Sequence, residues 1–147
     1  MEFDKLISDF AVRHSIEGLS VEEDTAALDI DGIVVGLNDD GGVLAATAEI
    51  GEPPADGRDA FAEMLLEANF GSDFVFAKSS ESGNYVLKHG IALDGLDGEA
   101  FDAALESLVN RAETWRKLLE NFRPVAAEAA AAEEELPTFG TGGFLQV

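Results

Sequence analysis

Apolar residues recur at Phe3, Leu6, Ile7 and Phe10, a spacing that predicts an amphipathic first helix stopped near Gly18. Alternation then replaces helical spacing. Thr25 to Ile30, Ile33 to Asn38 and Val43 to Ile50 read as three strands, joined by Asp31-Gly32 and by Asp39-Asp40-Gly41-Gly42. These junctions carry turn residues and are too short for crossovers, so antiparallel pairing is expected. The second of these strands is apolar on both pleat faces, with Ile33, Val35 and Leu37 on one and Val34 on the other. That pattern predicts a sheet covered on both sides. Pro53-Pro54 ends the sheet and holds off helix until about Asp56.

The stretch from Phe61 to Phe70 carries two apolar stripes. Phe61, Met64, Leu65 and Ala68 share one helical face, while Leu66 and Phe70 lie four apart on a neighbouring one. One stripe suffices to dock a helix on a core. The second asks for another partner, most simply a second copy of the chain, unless the helix is enclosed within one small domain. Gly71 supplies a natural stop. A hairpin follows, Asp73 to Lys78 and Asn84 to Leu93, and then a long helix capped at Asp97 and running to about Phe122. In it Phe101, Leu105, Leu108, Ala112, Trp115, Leu119 and Phe122 alternate steps of four and three, one continuous stripe. Additional apolar residues at Ala104, Val109 and Leu118 favour packing on a sheet over a coiled coil. The expected fold is α+β: helix, three antiparallel strands, helix, β-hairpin, long helix, occupying residues 1–123 as a single domain.

Residues 124–147 differ in kind. The Ala-Glu run from Ala126 to Glu135 has helix propensity but no amphipathic stripe, so a flexible acidic tail is expected. It ends in Phe139, Phe144, Leu145 and Val147 among glycines, either a docking peptide that holds an apolar patch or an inert end.

Charge narrows the function classes. Thirty acidic residues against nine basic give −21 over 147 residues, which disfavours nucleic acid and anionic membrane and points to basic or apolar partners. The absence of Cys removes disulfides, thiolate metal sites and a cysteine nucleophile. No segment has a signal-peptide pattern or the apolar length to span a bilayer, so a cytoplasmic protein is expected, without membrane insertion. The Asp-rich turns lack the spacing of a calcium loop, and Gly140-Thr141-Gly142-Gly143 lacks the Lys-Ser/Thr of a phosphate loop. His14 and His89 have no sequence-local catalytic partner and read as structural. No nucleophile, base and electrostatic stabiliser assemble, so the chain reads as a non-enzyme with no catalytic residue, cofactor or metal.

The segment Met64-Leu65-Leu66-Glu67-Ala68-Asn69, followed by a hairpin and by Ala112-Glu113-Thr114-Trp115 on a long helix, resembles the class I type III secretion chaperones, the Tir-chaperone family. The resemblance covers roughly residues 3–122. It implies a bacterial cytoplasmic homodimer that binds the N-terminal segment of a secreted effector and keeps it secretion-competent, with components of the secretion apparatus as further partners. The dimer surface would draw on Phe61, Leu65, Leu66, Phe70, Phe74 and Phe76. Effector grooves would draw on the first helix and first three strands, with Phe3, Leu6, Ile7, Phe10, Val34 and Leu44 as candidates. Some of these six are expected to remain exposed, the alternative being that they pack the core. The apolar end after Pro124 departs from the family pattern. A reading from another class is an acidic adaptor or inhibitor competing for a basic surface, such as one that binds nucleic acid. A third is a small-molecule-binding domain, for which the sequence offers no polar convergence.

Overall fold

The structure is a computed structural model that describes residues 3–17 and 19–123; the expectations for the tail, residues 124–147, lie outside the described residues. In chain order the elements are α1 (Phe3–Arg13), β1 (Ser20–Glu22), β2 (Thr25–Ile30), β3 (Ile33–Asp40), β4 (Val43–Gly51), α2 (Arg58–Asn69), β5 (Phe74–Lys78), β6 (Tyr85–Ala92) and α3 (Gly98–Glu120). The strands form one antiparallel sheet in the order β1-β2-β3-β4-β6-β5. This is the expected α+β order with one more strand. The additional strand β1 has three residues with Val21 as its one apolar side chain, too short for alternation to register.

Local chemistry explains the turns. Asp31 and Gly32 both take positive φ, 53° and 86°, between the paired residues Ile30 and Ile33, and Asp29 Oδ1 accepts a hydrogen bond from Gly32 N at 2.8 Å. This left-handed two-residue turn matches the twist of the strands it joins. The first helix ends earlier than the expected stop near Gly18. Ser15 adopts φ 52°, Ile16 N donates to Ala11 O at 2.9 Å, and Ser15 N donates to Val12 O at 3.3 Å. That is a Schellman end with serine where glycine is usual, which is why composition pointed further along the chain. At the start of α3, Asp97 caps the helix as its position predicts, its side chain accepting from Ala100 N at 2.8 Å.

Among the described residues, the helices cover one sheet face. Ile33, Val35 and Leu37 of β3, Leu44, Ala46, Ala48 and Ile50 of β4, and Leu87 of β6 are buried on the face that α3 crosses, in one cluster with the apolar stripe of α1. Among the described residues no helix lies on the face bearing Val34, and Val34 is 49% exposed, so the cover on both sides that the β3 pattern predicts is not supplied by these helices. Phe101, Leu105, Leu108, Val109 and Ala112 of α3 enter the core, and Trp115, Leu119 and Phe122 pack at its margin. Leu118 does not follow and is exposed. Gly51 sits beside an irregularity between β4 and β6 at φ 151°, and a Cβ there would approach Leu119 to 3.2 Å. A side chain at that position would press on α3.

An ionic clasp fixes the end of α1 to the first turns of α3. Arg13 Nε donates to Asp102 Oδ2 at 3.1 Å and Nη2 to Oδ1, while His14 Nε2 lies 3.0 Å from Oδ2. The hydrogen bonds from Arg13, joined by those from His14, hold the Asp102 carboxyl below its ordinary pKa, against a smaller opposing effect of burial. A carboxylate pKa depressed by folding contributes stability above its unfolded value, and that stability is lost as pH falls through the folded value. Asp102→Asn is thus expected to lower the thermal midpoint at neutral pH by a few degrees at most, because the pair is partly solvated. In acid, below the depressed pKa, parent and variant should melt alike; calorimetry over a pH series checks this.

Candidate functional site

The second apolar stripe of α2 is on the surface. Leu66 is 67% exposed and Phe70 is 91% exposed, whereas Phe61 and Leu65 on the first stripe are buried. Phe61 is the centre of an aromatic cluster, with ring centroids 5.7 Å from Tyr85, 6.2 Å from Trp115 and 5.1 Å from Phe122. Trp115 also meets Phe76 edge-on at 4.7 Å. Four elements or their ends thus meet through one tryptophan and one phenylalanine, and α2 has no freedom to roll its outer stripe inward.

Asn69 explains the end of the Leu-Leu-x-Ala-Asn stretch. Its Oδ1 accepts from Phe76 N at 2.6 Å and its Nδ2 donates to Phe76 O at 3.2 Å. Among the described residues β5 is an edge strand paired with β6 alone, and this side chain occupies both backbone groups of Phe76 at that edge. The other edge, β1, carries no such plug among the described hydrogen bonds, and all three of its residues are exposed.

Burial sorts the twelve residues considered for binding. Of the six assigned to the dimer surface, Phe61, Leu65 and Phe76 are core and Phe74 is half-buried; Leu66 and Phe70 are the accessible pair. Phe74 stacks on His89 with centroids 4.1 Å apart, under the Arg111 guanidinium at 4.3 Å, and His89 Nδ1 lies 3.2 Å from Asp73 O. Of the six considered for effector contact, Phe3, Leu6, Ile7, Phe10 and Leu44 are buried in the core of the single chain, and Val34 alone is exposed. The amphipathic stripe of α1 was read correctly, but it is spent on the sheet and on Phe101, whose ring lies 5.3 Å from that of Phe10.

Sequence reasoning missed the open sheet face as a unit. Ala27, Gly36, Thr47, Lys88 and Val75 form a row across five strands on that face, with Val34 and Val43 exposed nearby. The side chains are mostly small, and the loop Ser79–Glu81 borders a concavity of about 400 Å³ floored by Val34, Gly36 and Val86. The signal was present in strand parity, since each of these residues is out of phase with the core positions. Among the described residues no three His, Cys, Asp or Glu side chains are grouped to hold a metal, and no helix is long and apolar enough to cross a membrane.

Among the described residues, three helices lie on one face of a six-stranded antiparallel sheet, leaving an apolar helix stripe and the other sheet face exposed in an α+β fold. Residues 5–116 match the Tir chaperone protein (CesT) family, and the chain belongs to that family. No curated protein matches the sequence. Among solved structures it is similar to a chain of the ExsC–ExsE complex, at 24% identity and TM-score 0.67, covering 81% of this chain and 97% of that one. It is also similar to a chain of the Yersinia pestis type III secretion chaperone SycH in complex with a fragment of YscM2, at 21% identity and TM-score 0.61, covering 78% and 99%. A third similarity is to a chain of the ExoU–SpcU complex of the Pseudomonas aeruginosa type III secretion system, at 20% identity and TM-score 0.60, covering 79% and 99%.

The two stripes of α2 should respond differently to substitution. Phe61→Ala opens a cavity inside the aromatic cluster and is expected to cost about 3–5 kcal/mol in urea unfolding. Phe70→Ser, at a solvated position, should change the intrinsic stability of the single chain by no more than about 0.5 kcal/mol.

Proposed function

We propose that this chain is a bacterial cytoplasmic type III secretion chaperone: a homodimer that binds the N-terminal segment of a secreted effector, holding it extended and secretion-competent. The observation that carries this reading is the coexistence of exposed apolar surface with family membership. Leu66 and Phe70 stand out on α2 while Val34 and Val43 stand out on the uncovered sheet face. Two separate apolar surfaces support two kinds of contact, one with a second copy and one with a client.

The physical requirements of such a client fit these surfaces. A segment kept from folding exposes backbone donors and acceptors, and an open strand edge satisfies them while side chains alternate into surface depressions. β1 offers that edge, whereas the Asn69 plug blocks β5 at Phe76. Ordering a flexible segment costs entropy, so contact must extend over a wide surface, and no ATP chemistry is required for it. The net charge of −21 keeps a protein with exposed apolar patches soluble and disfavours anionic partners.

The decisive experiment is expression of the chain in its native bacterium, purification in moderate salt, and identification of the protein that stays bound. Retention of a secreted protein through its N-terminal region supports the proposal. Release of a basic protein as salt rises would favour the acidic-adaptor reading instead. Val34→Asp is expected to weaken client binding about tenfold with the thermal midpoint nearly unchanged. Leu66→Glu with Phe70→Glu should give a folded monomer in sedimentation equilibrium, since burying two carboxylates in an apolar seam is prohibitive. A double variant that still sediments as a dimer places the seam elsewhere.

A further inference from the structure

A groove of about 640 Å³ lies between the end of α1, the β2–β3 turn and the first half of α3. Phe10, Ile30, Leu105 and Val109 give it an apolar floor, with Ile16 at one side. Its walls carry Glu17, Asp29, Asp31, Glu99, Asp102 and Glu106 beside His14; neither lysine nor arginine lines it, although Arg116 Nη1 donates to Gly32 O at 2.9 Å in the adjoining turn. Among the described residues only Asp102 of these six has a basic partner, in the clasp with Arg13 and His14, and Asp29 is engaged by the turn at Gly32. Glu17, Asp31, Glu99 and Glu106 are left facing solvent around an apolar floor.

We propose that this groove receives a basic, apolar-flanked segment of the client: an arginine or lysine whose aliphatic neighbours settle against Ile16, Ile30 and Val109 while its charge meets Asp31, Glu99 and Glu106. Charge complementarity selects the occupant. Carboxylates held apart by the fold repel one another, and a cation relieves that repulsion, whereas an acidic segment meets several like charges at once. An apolar floor alone would accept any greasy peptide; the carboxylate walls convert it into a site that discriminates by sign. Arginine suits it best, because a planar fork engages carboxylates and its alkyl stem covers apolar surface. The groove opens on the helix-covered side of the molecule, lined by α1, α3 and the β2–β3 turn, and so differs from the uncovered sheet face that bears Val34. The assignment rests on the reading of the chain as a binder of an extended client segment and adds the chemistry of one stretch of that segment.

The test uses the full chain and two short fluorescein-labelled peptides of leucine and alanine, one carrying two arginines and the other two glutamines in their place. Fluorescence anisotropy should show the arginine peptide bound about tenfold more tightly, the effect of one charge-assisted contact. Asp31→Asn, Glu99→Gln and Glu106→Gln together should abolish that preference; asparagine keeps the left-handed backbone at position 31. A control with Glu52→Gln, Glu63→Gln and Glu67→Gln removes the same charge away from the groove and should keep the preference. Amide shifts on titration with the arginine peptide should concentrate at Ile16, Ile30, Ala103 and Asn110. Equal loss in both triple variants, or shifts spread over the whole surface, would mean attraction to net charge alone and would overturn the groove assignment. That failure would leave the Val34→Asp result, and with it the chaperone reading, standing.

Discussion

The contact on which everything else depends is the laying of α3 across one face of the sheet. Phe101, Leu105, Leu108 and Ala112 are buried along its length, and the small side chain of Ala112 lets the helix lie close to the strands. Further along, Trp115 wedges between Phe61 and Phe76 and so ties α2 and β5 to the same core. Burial of this stripe contributes hydrophobic stabilisation along the length of α3, and it commits one sheet face to the interior. A sheet has two faces, and among the described residues the helices are spent on one, which leaves the other exposed in the single chain.

The same packing fixes which surfaces are presented. With Phe61 and Leu65 anchored in the aromatic cluster, helical geometry turns Leu66 and Phe70 outward, and Asn69 locks that orientation by binding the backbone of Phe76. At the opposite end of α3, the Arg13–Asp102 clasp holds α1 beside the β2–β3 turn and so shapes the groove between them. Exposed apolar groups, an edge strand and carboxylate walls are all liabilities in an ordinary monomer. Here they are held apart on one scaffold whose large negative charge opposes self-association.

Much of this was written locally in the chain. Period, turn residues and caps are short-range properties, so the helix from Phe3, the Asp31-Gly32 hairpin, the Asp97 cap and the two stripes of α2 could be read one segment at a time. What escaped was whatever needs two segments at once. Phe3, Leu6, Ile7, Phe10 and Leu44 are apolar whether they face a client or a core, and only the docking of α1 against Phe101 and the sheet decides for the core. Likewise Val34 suggested a sheet enclosed on both sides, because strand parity shows that a face is apolar without showing what covers it. The strand Ser20–Glu22 exists through its pairing with Thr25–Ala27, not through its own composition. The acidic groove draws its walls from residues far apart in sequence, brought together by the packing of α1 and the β2–β3 turn against α3. Periodicity determined the elements and their inward stripes, since it depends only on neighbours along the chain. The tertiary structure decided which apolar surface was left over, because that depends on how many faces the helices can cover.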